Sequence, residues 1–238
     1  MIPLRHTLPA KTTPVVNRAL VVANAVLFIV QVFLGDRAET LITVFGFMPV
    51  RFLHPHAYGY TPIEVAITLV TSLFLHGGVV HLLGNMIYLW VFGGAVEDAF
   101  GRWRYLAFYI ACGAIGSLTH TLLFPASTVP SIGASGSIAG VLGAFLVLRP
   151  RARIVTLLPL PYFVMAEMRA LIFLPIWFLM QFFNGFLAIG AARATQEMAG
   201  IAWWAHIGGF LFGAAVAAIH RIRGGRASSP PTPVSPGA

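Results

Sequence analysis

Gly133-Ala134-Ser135-Gly136-Ser137-Ile138-Ala139-Gly140 opens an apolar run that continues to Leu148. From Ser135 to Leu148 the run is 14 residues, about 21 Å of helix at 1.5 Å per residue. A membrane's hydrocarbon core is about 30 Å thick, so this helix either does not cross or starts partway down inside the protein. Pro125, Pro130 and Gly133 precede it, which places the Ser135 hydroxyl at a helix N-terminus. There the partial positive charge of the backbone favours a developing anion.

Around this run lie five longer apolar stretches, Val15–Leu34, Val80–Val96, Tyr105–Phe124, Ala170–Ile189 and Ile201–Ile219, each near the length a spanning helix needs. If the short run counts as a sixth crossing and the N-terminus lies inside, every Lys and Arg except Arg37, Arg51 and Arg193 falls on the inner side. That is the positive-inside bias, and it fails if the short run is not a crossing. Both termini are then cytoplasmic. Residues 1–14 form a cytoplasmic segment, 15–221 a membrane domain, and the Pro/Ser/Gly-rich residues 222–238 a disordered cytoplasmic tail. The one long outer loop, Gly35–Val79, mixes Pro49, Pro55 and Pro62 with the apolar run Ile63–Leu75 and is expected to lie in the membrane interface.

Composition supports this reading. Hydrophobic residues make up 58% of the 238-residue chain and charged residues only 9%, with a mean hydropathy of +0.84. Soluble domains carry about 25% charged residues, so a water-facing globule is excluded. The 19 Phe, 5 Trp and 6 Tyr exclude disorder for the bulk of the chain. The net charge of +8 follows membrane sidedness and implies no nucleic-acid partner. Cys112 is the single cysteine, which excludes intrachain disulfides and thiolate metal sites; neither a metal nor a cofactor is called for.

Polar residues inside spans are functional candidates by default. His81 and Asn85 stand at i and i+4 on one helix face, Ser135 opens the short helix, and His206 lies a few residues inside the last span. Each also has a structural reading: Gly136/Gly140 and Gly209/Gly213 are the small-residue pairs of close helix packing, and His81 is near enough to a span end to be an interface residue. Taken together they suggest acyl-transfer chemistry. His206 can serve as base for a Ser135 nucleophile if their helices touch, and Gly208 and Gly209 permit that approach. His81, Asn85 and the Ser135 backbone N–H can hold an oxyanion. No carboxylate stands inside a span near these residues, so a hydrolase here would run on a Ser–His dyad.

Gly133–Gly136 (GxSG), His81–Asn85 (HxxxN) and Ala205–Gly209 (AHxxG) together resemble the rhomboid family of intramembrane serine proteases, in that family's order and on its fourth, second and sixth helices. Gly93-Gly94-Ala95-Val96-Glu97 also looks like the family's, and the similarity runs from about Arg18 to Arg221. The resemblance implies an all-α, polytopic six-helix bundle whose short fourth helix starts inside the membrane. It implies Ser135 as nucleophile and His206 as base. His81, Asn85 and the Ser135 N–H form the oxyanion hole, and Gly133 shapes the loop. Substrates are then single-pass membrane proteins cut in or near their helix, within a lipid bilayer that is expected to be the cell membrane of a prokaryote. Three features bear on the match. No Trp-Arg pair occurs between Gly35 and His76 to brace the outer loop. Ala139 stands four residues after the serine, where many members stack an aromatic on the catalytic histidine. His76 matches a histidine often found five residues before His81, with a structural role. The competing readings are a catalytically inactive relative that binds membrane helices and a transporter with a polar pathway; the presence of both Ser135 and His206 argues against the first, and the lack of mid-span charges against the second.

Overall fold

The structure, a computed structural model, describes residues 1–8, 12–159, 163–195 and 202–227. From the N-terminus the elements run β1 (Ile2–His6), α1 (Val15–Phe33), α2 (Arg37–Phe45), α3 (Pro49–Leu53), α4 (Pro62–Thr71), α5 (Val79–Phe100), α6 (Arg102–Leu123), α7 (Ser135–Leu148), β2 (Arg153–Pro159), β3 (Phe163–Arg169), α8 (Ala170–Thr195) and α9 (Trp203–Ala227). Helices α1, α5, α6, α8 and α9 are long and apolar enough to cross a membrane, and α7 is the short helix expected from the sequence, with the same bounds. The protein is a mostly helical, polytopic membrane bundle.

Helix α7 is its centre: every residue from Gly136 to Phe145 is buried. Its small residues make this possible. A Cβ added at Gly209 would strike the Gly136 carbonyl, one at Gly213 the Gly140 carbonyl, and one at Gly140 the Cys112 thiol. Helices α6 and α9 therefore approach α7 backbone to backbone, the geometry of small-residue contacts in membranes. The same glycines that read as packing elements thus set the distance between Ser135 and the first turn of α9.

Helix α1 carries buried amides at a spacing of seven, Asn17, Asn24 and Gln31. Asn17 donates to the Leu89 carbonyl at 3.1 Å and accepts the Tyr105 hydroxyl at 2.8 Å. The Asn24 amide bonds back to Leu20 within the helix. Gln31 clasps the backbone of His76, donating to its carbonyl at 2.9 Å and accepting its N–H at 3.0 Å. The buried Glu97 carboxylate accepts the N–H groups of Val16 and Asn17 at 3.1 and 2.7 Å, satisfying donors that the first turn of a helix leaves open.

The outer loop folds into α2, α3 and α4, with 3₁₀ turns at Pro55–Tyr58 and Ser72–Phe74. A capping box between Thr61 and Glu64 starts α4, and Ile63 and Ile67 on it are exposed. The loop's brace, in the absence of a Trp-Arg pair, is the buried Arg51. Its guanidinium donates to the carbonyls of Thr43 (2.6 Å), Val44 (3.4 Å) and Gly46 at the C-terminal end of α2 and lies 4.7 Å from the centre of the Tyr60 ring. A cation at a helix C-terminus also meets the negative end of the macrodipole.

Two features depart from the sequence expectation. A three-stranded antiparallel sheet, ordered β1-β2-β3, joins the helices. Its strands come from the stretch expected to be a plain N-terminal segment and from the connection before α8. Ile154-Val155-Thr156 supplies the β-branched residues that suit a half-buried pleated surface, and the Tyr88 hydroxyl ties α5 to the Met1 carbonyl at 2.7 Å. Second, α9 runs through Ala227, so residues 222–227, expected in the disordered tail, are helical. Gly224 and Gly225 read as breakers, yet a glycine costs a helix only about 1 kcal/mol. Lys11, Glu197, Ile201 and the tail beyond residue 227 lie outside the described residues.

Candidate active site

Ser135 is the first residue of α7, and the loop leading to it is fixed from the outer-loop side. Phe47 and Ser131 exchange two backbone hydrogen bonds, at 3.1 and 2.7 Å, and the Gly133 N–H donates to the Ser72 carbonyl at 2.9 Å. Gly133 sits at φ +113°, a conformation that L side chains rarely adopt. The space is also closed, since a Cβ there would lie 2.8 Å from the His81 ring and 3.4 Å from the Asn85 amide nitrogen.

Close packing of α9 on α7 brings His206 to this serine: Ser135 Oγ and His206 Nε2 are 2.7 Å apart. On the far side of the ring, His206 Nδ1 is 2.9 Å from Gln181 Oε1 on α8. An amide oxygen can only accept, so Nδ1 carries the proton, and Nε2 is left with the lone pair that receives the serine O–H. Gln181 is held in turn by a hydrogen bond from its Nε2 to the Trp177 carbonyl at 3.3 Å. The position left small by Ala139 is compensated from other helices. The Trp177 ring lies tilted 6.2 Å from the imidazole, and the Trp203 ring meets it edge-on at 6.0 Å.

His81 and Asn85 face the same cavity from α5. The Gly77 N–H donates to His81 Nδ1 at 3.3 Å, which makes Nε2 the protonated nitrogen, and that is the atom beside Gly133. Asn85 donates one amide hydrogen to His76 Nε2 at 3.0 Å, and the other has no partner among the described residues. His76 lies in the loop before α5. Burial, with His81 beside it, pushes its imidazole down to about 4, so at neutral pH it is the uncharged acceptor that this bond requires.

A single cavity of about 560 Å³ is lined by Ser135, His206, His81, Asn85, Gly133 and Gln181, among others. The structure thus brings together every site residue expected from the sequence. It adds Gln181 and His76, which that reading respectively passed over and left as structural. Gln181 did leave a signal: an amide midway along an apolar, aromatic span, the same oddity that singled out His206. Arranged this way, the pocket offers a nucleophile hydrogen-bonded to a base, a base with a fixed tautomer, and N–H donors around a glycine turn.

The chain is 46% identical over 78 residues, a third of its length, to the rhomboid protease GluP of Bacillus subtilis. It is 30% identical over 167 residues, or 60% of its length, to the mitochondrial RHOMBOID-like protein 6 of Arabidopsis thaliana. It is 37% identical over 78 residues to the putative rhomboid protease YdcA of Bacillus subtilis. These alignments span 15%, 54% and 39% of the respective relatives. The family model for the rhomboid domain matches residues 64–223, a range that runs from α4 into α9 and contains every residue of the cavity described above: the chain belongs to the rhomboid family.

Proposed function

We propose that the protein is an intramembrane serine endopeptidase that cuts transmembrane segments of single-pass membrane proteins. The observation that carries this reading is the relay Ser135 Oγ to His206 Nε2 at 2.7 Å and His206 Nδ1 to Gln181 Oε1 at 2.9 Å. In this mechanism His206 Nε2 takes the hydroxyl proton as Ser135 Oγ bonds to the scissile carbonyl carbon. The charge that forms on the carbonyl oxygen meets the Ser135 backbone N–H, His81 Nε2–H and the free Asn85 N–H. His206 then gives its proton to the leaving amine as the C–N bond breaks, and water attacks the acyl-enzyme by the reverse route to free Ser135. Gln181 keeps the imidazole in the productive tautomer throughout, the orienting part of an aspartate's task in a triad.

The charge distribution supports a placement with both termini in the cytoplasm and the cavity reached from the outer face; the membrane of this proposal is the cell membrane of a prokaryote. The direct test is reaction of the purified protein with a fluorophosphonate probe, with Ser135→Ala and His206→Ala as controls. Labelling of the wild type alone, with cleavage of a model transmembrane substrate abolished in both variants, is the expected outcome. An unlabelled wild type, or near-wild-type turnover in either variant, would favour the helix-binding or transport readings.

A further inference from the structure

At the opposite end of α7 from Ser135, a second cavity of about 510 Å³ opens between the bundle and the sheet, a volume in the range of small-molecule sites. Arg149, Arg151, Arg153 and Arg221 line it together with Leu8 and Leu148, and none of its described lining residues is acidic. Four like charges around one hollow repel one another, and an anion in the hollow relieves that repulsion. The arginines are unequally engaged. Arg153 pairs with Glu167 at 2.8 Å, and Arg221 uses one N–H on the Val147 carbonyl at 3.3 Å. Arg149 and Arg151 have no side-chain partner among the described residues.

The backbone of this hollow is fixed. The Ala152 N–H donates to the Arg149 carbonyl at 3.0 Å, the Leu171 N–H to the Pro150 carbonyl at 3.1 Å, and the Thr7 N–H to the Arg153 carbonyl at 3.0 Å. Sidedness alone asks only that basic residues lie somewhere at this end of the spans. It does not ask that they converge on one concave site.

We propose that this cavity binds the phosphate of an anionic phospholipid headgroup. Guanidinium groups match phosphate oxygens with paired N–H donors. The site lies where the apolar parts of α7 and α9 end, the depth at which basic pockets between helices meet headgroups. Leu8 and Leu148 give the hollow an apolar wall that suits the glycerol and first acyl carbons and offers nothing to a free anion. With the orientation proposed above, the lipid belongs to the cytoplasmic leaflet, while binding itself is independent of the protease reading.

The full-length protein in an uncharged detergent is titrated with phosphatidylglycerol, with phosphatidylcholine of the same chain length, and with inorganic phosphate, and bound species are read by native mass spectrometry. Phosphatidylglycerol should bind in preference to the other two. Arg149→Gln together with Arg151→Gln should weaken it about 30-fold, at about 1 kcal/mol per arginine. Arg37→Gln, an exposed charge on α2, should leave it unchanged. Should the double variant fail to fold, Arg221→Gln alone should cost about fivefold. Equal binding of the two lipids, or no loss in the cavity variants, overturns the site. Phosphate that binds as tightly as the lipid overturns the lipid assignment in favour of a soluble anion.

Discussion

His206 turns its Nδ1 to the side-chain carbonyl of Gln181, 2.9 Å away on α8, so a neutral amide stands where serine hydrolases of the triad type place a carboxylate. An amide fixes the ring's tautomer and orientation but would contribute no negative charge to the imidazolium of the proposed mechanism. Removing it should therefore cost less than the roughly 10⁴-fold seen when a triad aspartate is made unproductive. For Gln181→Leu, kcat is expected to fall about 10- to 100-fold with the thermal midpoint close to wild type, whereas Gln181→Glu, which keeps an acceptor oxygen, should retain more activity than Gln181→Leu. The rate of fluorophosphonate labelling reads the effect directly. Labelling of Gln181→Leu at the wild-type rate would reduce the contact to packing.

Gly133→Ala meets two obstacles, the φ of +113° and the His81 ring 2.8 Å from the new Cβ. Backbone strain of this kind costs about 1–3 kcal/mol, which a bundle with so buried a centre can absorb. The displaced His81 should nonetheless lower kcat by about 10²-fold or more. Activity per folded protein, from thermal unfolding and a cleavage assay on one preparation, separates the two effects.

Asn85→Ala and His81→Ala each remove a proposed oxyanion donor and should lower the rate by up to about 10²–10³-fold. His76→Gln should have a smaller effect on rate and a distinct effect on pH dependence. Its imidazole is pushed from the ordinary 6.5 down to about 4 in the folded protein, so between those values the unfolded chain binds the proton and the folded chain does not. Stability contributed by this group is therefore full above about 6.5 and is lost progressively as pH falls toward 4. Unfolding midpoints across that window should show a slope smaller by about one proton in His76→Gln than in the wild type; equal slopes would show that His76 does not titrate this way.

Arg51→Ala should destabilise the outer loop by about 2–4 kcal/mol, because it strands carbonyls at the end of α2 that a charged donor now satisfies. Arg51→Lys should recover little of this, since a single ammonium cannot span the carbonyls of Thr43, Val44 and Gly46 as the guanidinium does. Limited proteolysis of residues 35–78 and thermal unfolding measure the loss.

In the proposed reaction a substrate helix has to unwind before a peptide bond reaches Ser135, because its carbonyls are already hydrogen-bonded. Substrates carrying Gly, Pro or small residues near the outer end of the helix should be cut fastest, and a poly-Leu helix slowest. The aromatic residues of α8 divide in a way that bears on entry. Trp177 packs beside His206 and Phe178 lies 4.7 Å from Phe210, while Phe182 and Phe183 are exposed. Phe183→Ala should then alter the rate for a membrane substrate and leave labelling by a small soluble probe unchanged. Cleavage of the poly-Leu helix as fast as one with Gly-Pro would refute the unwinding argument.

The length and bounds of α7 could be read from hydropathy, because they are properties of residues close in sequence, whereas the grouping of Ser135, His206, His81, Asn85 and Gly133 into one site came from three motifs that together resemble a family. What could not be read depends on which distant segments meet. Gln181 is one amide in an aromatic run, and only the fold shows that it faces His206. His76 acquires its bond to Asn85 from the turn before α5. Arg51 carries no motif at all, and its task is set by the end of α2, a preceding helix that hydropathy did not resolve. The sheet escaped because β1 and its partner β2 are separated in the chain by all of α1 to α7, and a short edge strand has little periodicity of its own.

The seven-residue spacing of Asn17, Asn24 and Gln31 has a consequence for the order in which the protein assembles. Gln31 and Asn17 find their partners in His76, Leu89 and Tyr105, and the N-terminal turn of α1 finds its carboxylate in Glu97, all residues that follow α1 in the chain and are made after it. Until α5 and α6 arrive, α1 waits in lipid with polar groups that hydrocarbon cannot satisfy. Helix α1 is thereby locked in place only once α5 and α6 stand beside it, and its docking records that they have been inserted side by side.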